Sequence, residues 1–233
     1  TGTIDAANYN TGLGVDVFAA LTSGDNNVAV GFAALDANTT GSDNVAVGYN
    51  ALTASTTATK NTAIGYSAGE AITTGDRNIT IGYNSGKLID EGIKNVAVGS
   101  YSLDANTTGD SNVAIGQSAL GANTTADSNV AVGGAALAAN TTGANNVAVG
   151  GNALTLNTTG ASNTAVGTSA LAANTTASNN TAMGYNALGA VTTGENNVVL
   201  GFRAGQAITT GGRNTCIGEG SGITGSPSGN LTT

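Results

Sequence analysis

Short apolar runs recur along this chain at one fixed spacing. Each run reads N-[VT]-A-[VI]-G, with β-branched residues on alternate positions, which predicts a short strand. The opening residue of the run stands at Asn27, Asn44, Asn61, Asn78, Asn95, Asn112, Asn129, Asn146, Asn163, Asn180, Asn197 and Asn214, every step being 17 residues. Gly follows four residues later each time, from Gly31 to Gly218, and Gly14 extends that column back one step. A second run, A-L-x-A-N, and a Thr-Thr-Gly turn complete the unit. One copy, Asn44 to Lys60, is NVAVGYNALTASTTATK.

A period of 17 residues is too short for a pair of helices, and the unit carries no amphipathic helix pattern. Two short strands and two turns make one coil of an all-β fold, a parallel β-solenoid (β-roll). The strict period then has a cause. Each coil bonds to the next at about 4.8 Å, so an inserted residue breaks the ladder or bulges outward. Twelve to thirteen coils predict a rod about 60 Å long. Residues 1–13 read as a leading segment and partial coil, 14–218 as about twelve repeats, and 219–233 as an irregular C-terminal segment.

Reading by columns assigns faces. The fourth position is always apolar (Val30, Val47, Ile64, Ile81, Val98, Ile115, Val132, Val149, Val166, Met183, Leu200, Ile217) and is expected inside. The second position mixes Val, Ile and Thr and is expected inside, nearer the edge. The third lies between them and points to the other face. It is Ala in nine of twelve copies, with Thr80, Val199 and Cys216 as exceptions. Ala on an outward face lets another chain approach closely. So thin a core gains stability from association, which predicts a homo-oligomer with subunits side by side.

A paired substitution supports packing at the ninth and twelfth positions. The ninth is usually Leu, and the twelfth is then mostly Asn; where the ninth is Gly69, Gly86 or Gly205, the twelfth becomes Ile72, Ile89 or Ile208. One aliphatic group per coil is kept, as expected if both positions reach one cavity. The Asn columns are expected to stack as amide ladders. Gly in Thr-Thr-Gly suits a positive φ, although Ala58, Ala126 and Ala177 replace it.

Composition narrows the function. The 233 residues include 36 Gly, one Pro, one Cys, one Met and no His or Trp, with 9% charged. Without His there is no imidazole base or ligand. One Cys allows no internal disulfide and no thiolate cluster. Six basic against fourteen acidic residues, net −8, argue against a nucleic-acid partner. No apolar run approaches the ~18 residues of a membrane span, so membrane insertion is not expected. The chain starts at Thr1 with no signal peptide in view, which suggests a piece of something longer. No cofactor, metal or catalytic residue is implied.

Two columns carry candidate chemistry. Phe32, Tyr49, Tyr66 and Tyr83 occupy the sixth position of consecutive coils, and Lys60, Arg77 and Lys94 the seventeenth. Together they are the candidate contact surface for a glycan. Glu70, Asp76, Asp90 and Glu91 lie in the same coils as the cations, and the simpler account stacks the rings on one another and pairs the cations between chains or between coils on a solvated face. Asn-Thr-Thr at Asn38, Asn106, Asn123, Asn140, Asn157 and Asn174 forms glycosylation sequons, which a repeated structural turn explains without glycans. Cys216 reads as a buried substitute for Ala.

Repeats such as NNVAVGFAALDANTTGSD and NTAVGTSALAANTTAS resemble the Gly/Asn/Thr-rich repeats of phage tail fibres. They are also similar to repeats of trimeric autotransporter adhesin heads, which share N-x-V-A-[IV]-G. The match runs from Asn27 to Gly218. The resemblance implies a left-handed, homotrimeric roll that is extracellular, at the cell surface or on a virion. The reading is therefore a non-enzymatic structural fibre or adhesin segment, self-associating laterally and end to end, with a host-surface glycan as a further partner. The alternative is an ice-binding protein with Thr ladders on a β-solenoid.

Overall fold

The computed structural model describes residues 4–5 and 9–222. The chain divides into two compact units, Thr1–Ala114 and Ile115–Thr233. The first holds strands β1 (Ile4–Asp5), β2 (Asn10–Leu13), β3 (Val28–Val30), β4 (Val45–Val47), β5 (Thr62–Ile64), β6 (Ile79–Ile81) and β7 (Val96–Val98). An eighth, β8 (Val113–Ile115), contains the division point. The second holds β9 (Val130–Val132), β10 (Val147–Val149), β11 (Thr164–Val166), β12 (Thr181–Met183), β13 (Val198–Leu200) and β14 (Thr215–Ile217).

Within each unit the strands form one parallel ladder in chain order. Each strand residue lies opposite the one 17 further on, Val28 opposite Val45 and Val147 opposite Thr164. This is a parallel β-solenoid with 17-residue coils, each carrying one strand rather than the expected two: the A-L-x-A-N run is turn, with left-handed φ of 52° at Leu35 and Leu52. At the start, β1 pairs antiparallel with β2, which itself already pairs in parallel with β3. The ladder does not stop at the strands. Turn amides also bond to neighbouring coils, as Asn50 N to Phe32 O at 2.9 Å and Leu154 N to Ala170 O at 3.0 Å. The backbone is thus satisfied largely by the coil above or below.

Strands β3 to β14 are three residues long because the fifth-position Gly ends each one. Gly31 and Gly150 have φ of 141° and 134°, a region open only to Gly. A Cβ at Gly31 would fall 2.1 Å from the Gly48 carbonyl oxygen. Thr-Thr-Gly turns out differently from expectation. Its Gly is not in the left-handed region; Gly41 is needed because a Cβ there would lie 2.3 Å from Ala58 O. Left-handed φ falls instead on the seventh, ninth and seventeenth positions, as at Asn50 (53°), Leu52 (52°) and Lys60 (61°).

The expected facing of the strand is inverted. The third-position Ala column points inward and is fully buried, from Ala29 and Ala46 through Ala182. The fourth-position residues point outward: Ile64, Ile115, Met183, Leu200 and Ile217 are all exposed, and Val30 and Val47 half-buried. The Ala column therefore cannot be the contact surface for another chain. The cause is volume. Ala34, Leu35 and Asn38, from the eighth, ninth and twelfth positions, are all buried in the same coil, which leaves room beneath the strand for a methyl group only.

The exceptions prove the packing. Where the ninth residue is Phe18, the third is Gly12, and a Cβ there would lie 3.1 Å from the Phe18 ring. Where the ninth is Gly, the third can grow. A Cβ at Gly86 would lie 2.5 Å from Thr80 Cγ2, and one at Gly205 3.2 Å from both Val199 methyls. Cys216 faces Gly222 in the same way, its Sγ 2.7 Å from a Cβ built there. Ile72, Ile89 and Ile208 fill the core from the twelfth position, as the paired substitution predicts.

The Asn ladders form as expected. In the first column Asn44 donates its backbone N–H (3.0 Å) and Nδ2 (3.1 Å) to Asn27 Oδ1, and Nδ2 also to Ala58 O at 2.8 Å. In the second, Asn140 Nδ2 donates to Asn123 Oδ1, Asn157 to Asn140 and Asn174 to Asn157, at 3.0, 2.9 and 2.8 Å. That column ends at Asn174, because the next coil carries Val191.

Candidate interaction surface

The inverted strand puts an apolar stripe on the outside. In the first unit Val28, Val30, Val45, Val47, Ile79 and Ile81 are half-buried or exposed. In the second, Val147, Val149, Val198 and Leu200 continue the pattern within that unit. The second and fourth positions carry no charged residue in any copy. Scattered exposed aliphatics are ordinary, whereas these line up in one column within each unit.

Beside the stripe, across the side-chain-free Gly column, stand the sixth-position rings. Phe32 and Tyr49, Tyr49 and Tyr66, and Tyr66 and Tyr83 stack with centroids 5.1, 5.1 and 5.3 Å apart and planes 13°, 5° and 15° from parallel. Tyr185 and Phe202 stack likewise in the second unit. Each ring covers its neighbour's face, so edges rather than faces meet solvent. Sequence reasoning missed one member. Tyr101 meets Tyr83 edge-on at 5.4 Å and 68°. It sits 18 residues after Tyr83, at a seventh position with φ 57°, because Ser100 takes the sixth. That one-residue shift was the available signal. Desolvation pushes the Tyr101 hydroxyl above its usual range; the charge of and a hydrogen bond with Tyr83, then Asp104, act the same way.

Lys60, Arg77 and Lys94 are exposed on successive coils. Within the chain, pairing of these three cations between coils is not seen: among the described residues the ion pair present joins Lys87 to Glu70 at 3.7 Å. The nearby carboxylates are used differently. Asp76 Oδ1 accepts from Thr59 N at 2.7 Å and Thr59 Oγ1 at 3.1 Å, and Asp90 accepts from the Thr73 hydroxyl. These are coil-to-coil caps, and the three cations stand exposed outside any ion pair among the described residues.

The Thr pair is split between two jobs. Thirteenth-position hydroxyls donate to the next coil's carbonyl, as Thr39 to Thr56 O at 2.9 Å and Thr141 to Thr158 O at 3.0 Å. Fourteenth-position residues such as Thr40 and Thr142 are exposed. All six Asn-Thr-Thr asparagines are fully buried, and Asn38 Nδ2 donates to Gly41 O at 3.0 Å. Cys216 is buried and free, and burial pushes its thiol up. Among the described residues no three Cys, Asp or Glu side chains gather as a metal site.

Comparison with known protein families, curated proteins and solved structures returns no match.

Proposed function

We propose that this chain is a non-enzymatic structural protein, a segment of an extracellular or virion fibre or adhesin, whose copies pack side by side. The carrying observation is the aliphatic stripe on the outer face of the strands, exposed or half-buried in each unit. The occupant that fits it best is a second copy. A partner must match the axial step of about 4.8 Å at each coil, and an identical solenoid has that step by construction. Three copies around an axis, in a left-handed roll, agree with the resemblance of the N-x-V-A-[IV]-G runs to adhesin heads. End-to-end joining of such assemblies lengthens the fibre.

A host-surface glycan is the second proposed partner. Lys60, Arg77 and Lys94 are exposed and outside any ion pair among the described residues, which suits an anionic sugar. Phe32, Tyr49, Tyr66 and Tyr83 flank the stripe and offer ring edges. The ice-binding alternative draws on the exposed fourteenth-position Thr column. It is supported less, because the thirteenth-position hydroxyls are spent on backbone carbonyls and one column, not two, faces water. Thermal hysteresis measures it directly.

Variants test the stripe. Val149→Lys with Val166→Lys places charges on it and should disperse the assembly into single chains, whereas Thr142→Lys, on a turn, should leave it intact. Equal dispersal by both, or by neither, removes the stripe as the contact.

A further inference from the structure

The aromatic ladder of the first unit ends in a pair unlike the rest. Tyr49 and Tyr66 are sandwiched, each between two parallel rings. Tyr101 instead turns its ring 68° from Tyr83 at a centroid distance of 5.4 Å. Both rings are exposed, Tyr83 at 46% and Tyr101 at 41%. The two residues are also tied through the backbone, Tyr101 N donating to Tyr83 O at 3.0 Å.

We propose that Tyr83 and Tyr101 form an oxidative cross-linking site, coupled to dityrosine by a peroxidase with hydrogen peroxide. Each phenol loses one hydrogen atom from its hydroxyl, and the two radicals join through their ortho carbons. The hydrogen on each of those carbons then moves to its phenol oxygen. The two hydrogen atoms removed reduce one hydrogen peroxide to two waters, so the step is balanced. Dityrosine is a biaryl whose rings are twisted against each other, and the inclined pair is already close to that shape. Coupling within the parallel stack must instead bend two rings out of plane while their outer neighbours hold them. The product is a covalent staple between adjacent coils, made without cysteine, in a chain whose one Cys is buried. It does not rest on self-association.

The test uses the whole chain, an equal mixture of unlabelled and nitrogen-15-labelled protein, treated with peroxidase and limiting peroxide. Dityrosine fluorescence should appear. Trypsin with an Asp-directed protease should release residues 78–87 joined to 95–103, each linked pair of one isotopic kind. Tyr101→Phe, which keeps the ring and the fold, should lose most of the fluorescence, and Tyr49→Phe should keep it. Mixed-isotope peptides, linkage within the 49–66–83 stack, or full fluorescence from Tyr101→Phe would each overturn the assignment.

Discussion

Thr80 and Gly86 face each other across the core of one coil, so closely that a Cβ on Gly86 would stand 2.5 Å from the Thr80 methyl. The third, ninth and twelfth positions share one volume. Gly86→Leu should therefore destabilise the coil by about 1–3 kcal/mol through overpacking. Adding Thr80→Ala and Ile89→Asn restores the commoner Ala, Leu, Asn combination and should recover most of the loss. Urea unfolding of the single and triple variants checks this.

The Asn ladder predicts an asymmetry between neighbouring polar residues. Asn146 Oδ1 accepts from both the backbone N–H and Nδ2 of Asn163, at 3.0 and 3.1 Å. Asn146→Ala leaves the buried Asn163 N–H without that acceptor, while Nδ2 keeps its bond to Ala177 O at 2.9 Å, at a cost of about 1–3 kcal/mol. The exposed Thr142→Ala should stay within about 0.5 kcal/mol. Hydrogen exchange at the Asn163 amide reads the local effect.

The Asn-Thr-Thr sequons should be silent in the folded protein. Their asparagines are buried and their Nδ2 atoms committed, Asn157 to Gly160 O and Asn174 to Ala177 O at 2.9 and 3.0 Å. Oligosaccharyltransferase should modify unfolded peptides spanning Asn140 or Asn157 and leave those two asparagines unmodified in the folded chain, with peptide mass mapping as the readout.

Asp104 gives a dependence on pH. Burial raises its carboxyl above the usual range, opposed by its own backbone hydrogen bond and by Lys87. A raised folded value means that its favourable contribution is complete below the ordinary carboxylate range and is lost as pH rises through the raised value. Asp104→Asn should therefore be the more stable protein at neutral pH, with the difference shrinking on acidification. Thermal unfolding across pH measures it.

Much of this was legible in the sequence. The 17-residue step placed each strand from β3 onward, and the column chemistry gave both Asn ladders and the exchange of Leu for Ile72, Ile89 and Ile208. The direction of the strand was not legible from hydrophobicity. In Val45-Ala46-Val47 the larger residues are the more apolar, yet the core admits only the smaller one. Volume decided, and its trace was present: Thr80, Val199 and Cys216 occur in coils whose ninth residue is Gly86, Gly205 or Gly222. Tyr101 escaped because a strict column reading passes over a residue displaced by one. The use of Asp76 as a cap for Thr59 depends on turn geometry that spacing alone does not encode. Of the irregular C-terminal segment expected over 219–233, residues 223–233 lie outside the described residues.

The outward stripe of Val30, Val47, Ile64 and their equivalents is most directly tested by the mass of the chain in solution. Sedimentation equilibrium of the native protein should give a multiple of 22.3 kDa, with three chains the expected number. A single species of 22.3 kDa at every concentration would contradict it.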